Sequence, residues 1–529
     1  MKNCLFLTVV LLSSFLLKSS PSFSTQTQAL TSDIQHLLEL SPEINPAANV
    51  FYQERNYMPY WLDKPDALNE FTLILKSTPR HGLPIERYEF DKILKLKSSD
   101  SSIDLAKLDL LLTEKFLLYA KDLSHGIVDP TSLTSFINIE PKTTEAEKFL
   151  SELNESPRIK KFLEETQPND PDYIKLQLEL QRLLAKDKTN QVSNVPIETT
   201  LELGMSHPNI LSLRKKLKSL EYLYTDNESE TFDEELHKTV MLFQEDSGLN
   251  ADGVVGRKTI QALNIPIETR IVQVLVNLER IRWLNFDKGP DYVIVNQPNY
   301  EAKLIKENNT IWESNVVIGL PDFQTAEFFD QMTHIIVNPT WHVPKSIAVD
   351  EYLPKIQEDP EFLINNEMNL YVRGTTKIID PNLIDMSVFT VDNFPFEIKQ
   401  NPGNINALGK VKFMFPNKFS IYMHDTPMKP LFSKDLRAFS HGCVRVERPF
   451  KFANALLSDD ENIENSQFYS ALKNGEETQL NLPQSIPVYL IYRTVIVDDF
   501  GTINYRPDIY GRDALLYMSL ISSGLNIDV

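Results

Sequence analysis

The chain contains very little cysteine: among its 529 residues there are only Cys4 and Cys443. Cys4 lies in an N-terminal segment that has the pattern of a cleaved export signal, so the mature chain would keep Cys443 alone. A single thiol cannot form an intramolecular disulfide, which excludes a disulfide-stabilised fold. Cys443 therefore has no obvious structural partner, and it is a candidate nucleophile.

Basic charge and metal-binding motifs are also scarce. The 53 Lys and Arg residues face 73 Asp and Glu residues, a formal net charge of −20, which argues against nucleic acid or anionic lipid as a partner. Neither a His-Glu-x-x-His helix nor a Cys-x-x-Cys pair occurs. Because His334 and His342 lie far from a recognisable ligand set, a metal site is only a minor alternative. The sequence predicts no metal and no other cofactor.

Long hydrophobic runs are missing beyond the N-terminus. Lys2 precedes an apolar run from Leu5 to Leu17, which is shorter than the roughly 20 residues of a membrane span. We expect residues 1–24 to be a secretory signal peptide and the remainder to lie in the periplasm. An uncleaved signal that tethers the protein to the inner membrane is the alternative.

The chain is nevertheless rich enough in apolar residues, 42% of the total, to build several cores. Apolar residues at helical spacing predict a helical scaffold domain over residues 32–195. Amphipathic helices around the turn Asn250–Gly256 predict a compact three-helix unit over residues 207–265. A helix that connects this unit to the rest is expected within residues 266–289.

After residue 290 the hydrophobic pattern changes to the period of two that is typical of strands. The predicted strands are Tyr292–Asn296, Ile335–Asn338, Lys410–Met414, Phe419–Met423 and Pro487–Tyr492. We expect a β-rich domain over residues 290–510, an insertion over 345–400 that lies on its β core, and a C-terminal segment over 511–529. The predicted fold class is multidomain α+β.

Two polar groups of this β-rich region indicate chemistry. His424 ends a predicted strand, and Cys443 follows 19 residues later in a turn that contains Gly442. A thiol needs a nearby base, which His424 can supply if the loop folds back. The turn could aim the N–H groups of Gly442 and Cys443 at one point, as an oxyanion hole requires. A buried cysteine and a solvated histidine are the ordinary alternatives when each residue is taken alone.

The segments His424-Asp-Thr-Pro427 and Ser440-His-Gly-Cys-Val-Arg-Val446 resemble the catalytic signature of the L,D-transpeptidases of bacterial cell walls (YkuD type). The resemblance implies that Cys443 is the nucleophile and that His424 is its general base and acid. It also implies that the backbone carbonyl of Asp425 orients the His424 ring. A catalytic Asp425 carboxylate, as the third member of a triad, is the weaker alternative.

Other residues in and near the signature could support the reaction or bind the substrate. His441 and Arg445 match positions of the motif, which implies local structure, oxyanion support or substrate contact. Tyr422 precedes His424 by two residues, so both side chains should share one face of a strand, where Tyr422 could line the donor pocket. Core packing is the alternative for Tyr422. Trp341 is a second possible residue of the substrate pocket, but for Trp341 core packing is the favoured interpretation.

The resemblance covers nearly all of the mature chain. Residues 213–264 resemble a three-helix peptidoglycan-binding domain, although a helical spacer would show a similar pattern. Val276–Trp283 and Asn338–Pro344 resemble the large, multidomain, YcbB-like subgroup of these enzymes. In that subgroup a capping insertion covers the active site, and residues 345–400 occupy its position.

The implied activity is a two-step acyl transfer in cell-wall biogenesis, with consequences for cell shape. Cys443 would attack the carbonyl of the third residue of a stem tetrapeptide, D-alanine would leave, and an amine of a second stem would form a 3→3 cross-link. The implied partners are peptidoglycan stem peptides, carbapenems as covalent inhibitors, and other cell-wall synthesis enzymes. The alternatives are an L,D-carboxypeptidase or hydrolase that resolves the same thioester with water, or an inactive wall-binding scaffold.

Overall fold

The computed structural model describes residues 23–155, 158–186, 192–196, 199–223, 228–457 and 466–526. The chain divides into two compact units: the first comprises residues 1–77, 85–120 and 144–164, and the second comprises 78–84, 121–143 and 165–529. All but the last two residues of the predicted signal peptide lie outside the described residues.

The first unit is helical, as the scaffold prediction requires. Its helices are α1 (Phe23–Leu40), α2 (Pro46–Glu54), α3 (Pro65–Lys76), α4 (Phe90–Lys97), α5 (Ser102–His125), α6 (Ala146–Glu155) and α7 (Ile159–Thr166), of which α5 and α7 run on past the unit. Trp61 stacks on Phe71 at a ring distance of 5.1 Å in its core. The buried Asp109 carboxylate accepts hydrogen bonds from the Tyr52 hydroxyl at 2.6 Å and from the Tyr60 N–H at 2.8 Å. These bonds satisfy the carboxylate, whose burial without hydrogen-bond partners would destabilise the fold.

The second unit opens with helices that surround two separate cores. They are α8 (Pro171–Ala185), α9 (Asn209–Ser219), α10 (Glu234–Asp246), α11 (Arg257–Leu263) and α12 (Ile267–Trp283). Helices α9 to α11 enclose one core that includes Leu213, Val240 and Ile260, whereas α8 and α12 contribute to another core. Gln244 fixes the predicted turn, since it accepts the Gly253 N–H at 2.8 Å and donates to Asp252 at 2.9 Å. The predicted three-helix unit is confirmed.

The β-rich part of the second unit is confirmed as well. The strands are β1 (Ile137–Asn138), β2 (Tyr292–Asn296), β3 (Glu301–Lys306), β4 (Asn309–Gly319), β5 (Glu327–Val337), β6 (Trp341–His342), β7 (Met368–Val372), β8 (Ile378–Ile379), β9 (Phe396–Gln400), β10 (Val411–Met414), β11 (Met423–His424), β12 (Ala438–Ser440), β13 (Val444–Val446), β14 (Thr478–Ile491), β15 (Val495–Val497) and β16 (Ile503–Tyr505). The accompanying helices are α13 (Leu353–Glu358), α14 (Phe362–Asn365), α15 (Pro449–Leu457), α16 (Gln467–Asn474) and α17 (Arg512–Ser522). The multidomain α+β class is therefore confirmed.

Within the described ranges ten strands form one sheet, in the order β1-β5-β10-β11-β13-β4-β3-β2-β14, with β12 paired to β4. Strand β14 also pairs with β5, so the path of strands closes around a large apolar core. Strand β1 is an exception to the helical prediction for residues 32–195, because it pairs in parallel with β5. None of the helices seen in these ranges has the length and apolarity that a bilayer span requires.

The strand predicted over Phe419–Met423 is shorter in the structure, where β11 holds only Met423 and His424. The Asn417 side chain accepts the N–H groups of Phe419 and Ile421 at 3.0 and 3.2 Å. Ser420 adopts a left-handed backbone with φ of 55°. A side chain that captures nearby backbone groups competes with strand pairing, and it replaces the start of this strand with a tight loop.

The insertion is a small module with its own sheet, in the order β6-β9-β7-β8. Because Trp341 pairs with Gln400, the two ends of the module close on each other. Its core extends to Leu408, so the module is wider at both ends than the predicted 345–400. A π-helical turn over Ile347–Tyr352 leads into α13. Tyr422 of the β-rich domain packs against this core, which places the insertion over one face of the sheet.

Candidate active site

The pairing of β10, β11 and β13 brings five polar residues to one face of the sheet. Lys412 lies opposite His424, and His424 lies opposite Arg445. Paired residues share a face and successive residues alternate, so Tyr422 and Cys443, which precede β11 and β13, belong to the same face. The alternate residues of these strands enter the apolar core: Val411, Phe413, Met423, Val444 and Val446.

The Cys443 thiol is partly buried. Its sulfur lies 3.9 Å from the Ser420 carbonyl oxygen and close to the Tyr422 side chain, while the residue stays partly exposed. Burial raises the thiol pKa, against the opposing effects of Tyr422, Arg445 and Lys412. In this enclosed state the resting nucleophile is a neutral thiol, which needs a base at the moment of attack.

His424 is held in one orientation. Its Nδ1 lies 2.5 Å from the Asp425 carbonyl oxygen. Because a carbonyl oxygen can only accept, Nδ1 carries the proton, and Nε2 is left to accept one. Burial lowers the His424 pKa to about 3, with the Arg445 charge as the next cause. The imidazole is therefore neutral near pH 7 and can act as a base.

The carboxylate of Asp425 does not form a triad with His424. One oxygen accepts the Lys410 N–H at 2.9 Å, and the other accepts the Thr426 N–H and the Lys429 ammonium, each at 2.7 Å. These three donors hold the carboxylate in the loop after β11. The alternative in which the Asp425 carboxylate is the third member of a triad is therefore wrong. It is the backbone carbonyl of Asp425 that is hydrogen bonded to the histidine.

The turn before Cys443 departs from the predicted oxyanion hole. Gly442 has φ of 108°, which L side chains rarely adopt, so glycine is required here. Its N–H donates to Ser440 Oγ at 3.1 Å, and its carbonyl accepts from Thr325 Oγ1 at 2.8 Å. The Gly442 N–H is therefore not open to substrate, contrary to the prediction. The Cys443 N–H donates to no acceptor in the described part of the chain, and it remains available.

His441 connects the insertion to the catalytic signature. Its Nε2 lies 2.5 Å from the Glu351 carboxylate in the π-helical turn. On the other side its ring packs against Phe323 with the centroids 4.5 Å apart. His441 thus holds the insertion close to the turn that carries Cys443, which agrees with a local structural role.

Arg445 and Trp341 are the remaining residues that the sequence placed at the site. Arg445 is half-buried, burial lowers its pKa, and its Nε has no hydrogen-bond partner among the described residues. The Trp341 side chain belongs to the core against which Tyr422 packs, and its ring lies edge-on to Tyr352 with the centroids 6.1 Å apart. Trp341 is thus a core residue of the insertion, as favoured.

Sequence reasoning missed four residues of this site. Ser440, which donates to the Cys443 carbonyl at 2.5 Å, lies inside the signature, and a hydroxyl next to a glycine turn is a usable signal. Thr325, Glu351 and Lys412 give no such signal. They reach the site only through strand pairing and through the placement of the insertion.

Three stretches of the chain match known families. Residues 290–464 match the L,D-transpeptidase catalytic domain (YkuD), and this range contains all five polar residues of the sheet face. Residues 206–263 match the “Putative peptidoglycan binding domain” family and residues 46–180 match a scaffold domain, which agrees with the predicted multidomain organisation.

Individual proteins resemble parts of the chain. A “Putative L,D-transpeptidase” of Haemophilus influenzae is 32% identical over 273 residues, which is 50% of this chain and 54% of that protein. The chain thus spans about half the length of this curated relative. The L,D-transpeptidase structures from Stackebrandtia nassauensis (13% identity, 56% of this chain, 97% of that one, TM-score 0.21) and Xylanimonas cellulosilytica (12%, 56%, 99%, TM-score 0.17) overlap it only weakly. These two overlaps support no conclusion about the site.

The raised thiol pKa in the transpeptidase domain makes a testable prediction. In a single-thiol Cys4→Ser protein, alkylation of Cys443 by iodoacetamide should rise about tenfold per pH unit from pH 6 to beyond the ordinary thiol pKa of about 8.5. Burial disfavours the thiolate, so N-acetylcysteine, as the control, should reach its plateau at lower pH. A rate plateau that begins below pH 7 would instead indicate a resting thiolate–imidazolium pair.

Proposed function

We propose that this protein is an exported L,D-transpeptidase that forms 3→3 cross-links in peptidoglycan through a Cys443 thioester. The main support is the face shared by Tyr422, His424 and Cys443, on which His424 has Nδ1 hydrogen bonded and Nε2 free to accept a proton. The peptidoglycan-binding family match supports a cell-wall substrate. The N-terminal apolar run supports export to the periplasm.

In the first step the thiol proton passes to His424 Nε2 while Sγ attacks the carbonyl of the third stem residue. The tetrahedral oxyanion that forms is stabilised by the Cys443 N–H, the open donor of the turn. The C–N bond then breaks, and the proton held by His424 passes to the departing amine of D-alanine. The product of this step is a thioester between Cys443 and the donor tripeptide.

In the second step the amine of another stem attacks the thioester carbonyl. His424 removes a proton from the attacking nitrogen and returns it to the leaving sulfur, which restores the thiol. The new bond joins the third residues of two stems. The alternative nucleophile is water, which would release a tripeptide and make the enzyme a carboxypeptidase.

The insertion favours the amine over water. Trp341 belongs to its core, and Tyr352 and Tyr422 pack against that core, with Tyr422 close to the thiol. Apolar groups packed this close to the thioester limit the access of bulk water. The same enclosure leaves the thiol partly exposed, so a carbapenem, whose strained ring carbonyl presents an acyl group, can reach it and acylate it.

Product analysis tests the proposed function. The purified Cys4→Ser protein is incubated with disaccharide tetrapeptides, and the products are separated and weighed. We expect 3→3 dimers together with free D-alanine. Release of D-alanine with tripeptide monomers alone would favour the carboxypeptidase, and absence of both products would contradict the proposed activity.

A further inference from the structure

Two cations flank the proposed base. Lys412 and Arg445 occupy the paired positions on either side of His424, on the face that carries the thiol. The Lys412 Nζ lies 5.1 Å from the centroid of the Tyr422 ring, and both cationic residues are half-buried. The charge of each cation acts on the Cys443 thiol, so both heads lie near the reacting atom.

Neither cation has a counterion in the part of the chain that the structure describes. Among the described residues, no carboxylate lies within 4 Å of Lys412 or Arg445, and the buried Nε of Arg445 has no partner. Glu477 acts on Lys412 from a greater distance, and its carboxylate accepts the Thr340 N–H at 2.5 Å. Half-buried charges without a partner are unfavourable, so a site that contains two of them fits an anionic ligand.

The geometry points to Lys412, together with Arg445, as a binding site for a carboxylate of the acyl donor, next to the scissile carbonyl. This inference rests on the proposed function. The donor can supply such a group from two sources: the terminal carboxylate of the leaving D-alanine, or the free carboxylate of the diamino acid. Both lie within one residue of the bond that Cys443 would cleave.

A bound carboxylate would also affect the base. Burial and the Arg445 charge lower the His424 pKa most, and Lys412 lowers it further. An anion between the two cations offsets their effect, so the imidazole becomes a stronger base once a donor is bound. Lys412 would then contribute to substrate specificity and, through the bound anion, to base strength.

The experiment compares three variants of the Cys4→Ser protein. Lys412→Met removes the charge and keeps the length of the side chain, Lys412→Arg keeps the charge, and Lys377→Met changes an exposed lysine of the insertion as the matched control. Each is tested with a normal tetrapeptide donor, with a donor amidated at the terminal carboxylate, and with a donor amidated at the diamino acid. Acylation is measured by intact mass, and donor affinity is measured by calorimetry in the Cys443→Ala background.

Lys412→Met should weaken donor binding and slow acylation by about 10- to 100-fold, the effect of a lost charge-assisted hydrogen bond. Lys412→Arg should restore most of this loss, and Lys377→Met should show none. With the parent protein, one of the two amidated donors should bind and acylate as much more weakly than the normal donor as Lys412→Met lowers these values. With that same donor, Lys412→Met should bind and react almost as well as the parent does. That donor identifies which carboxylate is bound.

Equal affinity of the parent and Lys412→Met for the normal donor would overturn the inference. The inference would also be overturned if Lys412→Met lowered affinity and acylation rate equally for both amidated donors, because Lys412 would then act independently of any carboxylate. If the proposed function fails, the result is different. The parent then does not become acylated, but the Cys443→Ala protein still binds the normal donor more tightly than one of the amidated donors. Thermal unfolding of Lys412→Met, expected to match the parent, separates loss of binding from loss of fold.

Discussion

Cys443→Ala should abolish acyl-enzyme formation and all 3→3 dimers, the largest effect of any single substitution in this protein. In the proposed mechanism the Cys443 sulfur forms the covalent bond to the donor, and none of the four other polar side chains described on this face is a thiol. Cys443→Ser should be nearly as inactive, because a hydroxyl is far harder to deprotonate than a thiol with its pKa of about 8.5. For both variants, acyl-enzyme and 3→3 dimers are measured by mass spectrometry after incubation with tetrapeptide donors.

The alanine variant should keep its fold. The sulfur lies close to the Tyr422 side chain and the Ser420 carbonyl, and it contributes little to the apolar core. We expect the free energy of unfolding to change by less than about 1 kcal/mol, which serves as the control for the loss of activity. Dimers formed by the folded alanine variant would show that Cys443 is not the nucleophile.

His424→Ala should slow acylation by about 10² to 10⁴, because the neutral thiol loses the group that accepts its proton. The fixed hydrogen bond from Nδ1 to the Asp425 carbonyl accounts for the size of the effect, since it orients Nε2 permanently. His334→Ala is the matched control: His334 lies in β5, is half-buried, and its ring hydrogen bonds to the adjacent Thr333 hydroxyl. The rate is measured by intact mass spectrometry as the fraction of protein that has become acyl-enzyme at successive times.

The same variant should change the pH dependence of stability. The His424 pKa is about 3 in the folded chain, below the usual 6.5, so protonation favours the unfolded state. The parent should therefore lose stability as the pH falls from 6.5 toward 3, and His424→Ala should lose less over that range. An acylation rate equal to that of the parent, or an unchanged pH dependence, would exclude a buried neutral His424 as the base.

The sequence was sufficient for the parts of this protein that depend on local pattern. The change from helical spacing to period two after residue 290 located the β-rich domain, and the motifs around His424 and Cys443 pointed to two residues that the structure places on one face of the sheet. Gly442 was expected to permit a tight turn before Cys443, and it does adopt positive φ. Each of these features is encoded within a few neighbouring residues.

Other features depend on pairing between distant segments, and the sequence could not supply them. Lys412 reaches the site because β10 aligns with β11 in one register, and a shift of one residue would turn its side chain into the core. The engagement of the Gly442 N–H depends on the rotamer of Ser440. The ends of the insertion are set by the pairing of Trp341 with Gln400. No local pattern contains this information.

The most direct test of the account is to observe the thioester itself. The Cys4→Ser protein is mixed with a stem tetrapeptide, quenched in acid and analysed by intact mass and peptide mapping, and an acceptor stem is added to a parallel sample. The account predicts an increase equal to the donor tripeptide acyl group, located on Cys443, that disappears as the 3→3 dimer forms. A dimer that forms without this adduct, or an adduct located on any other residue, would contradict it.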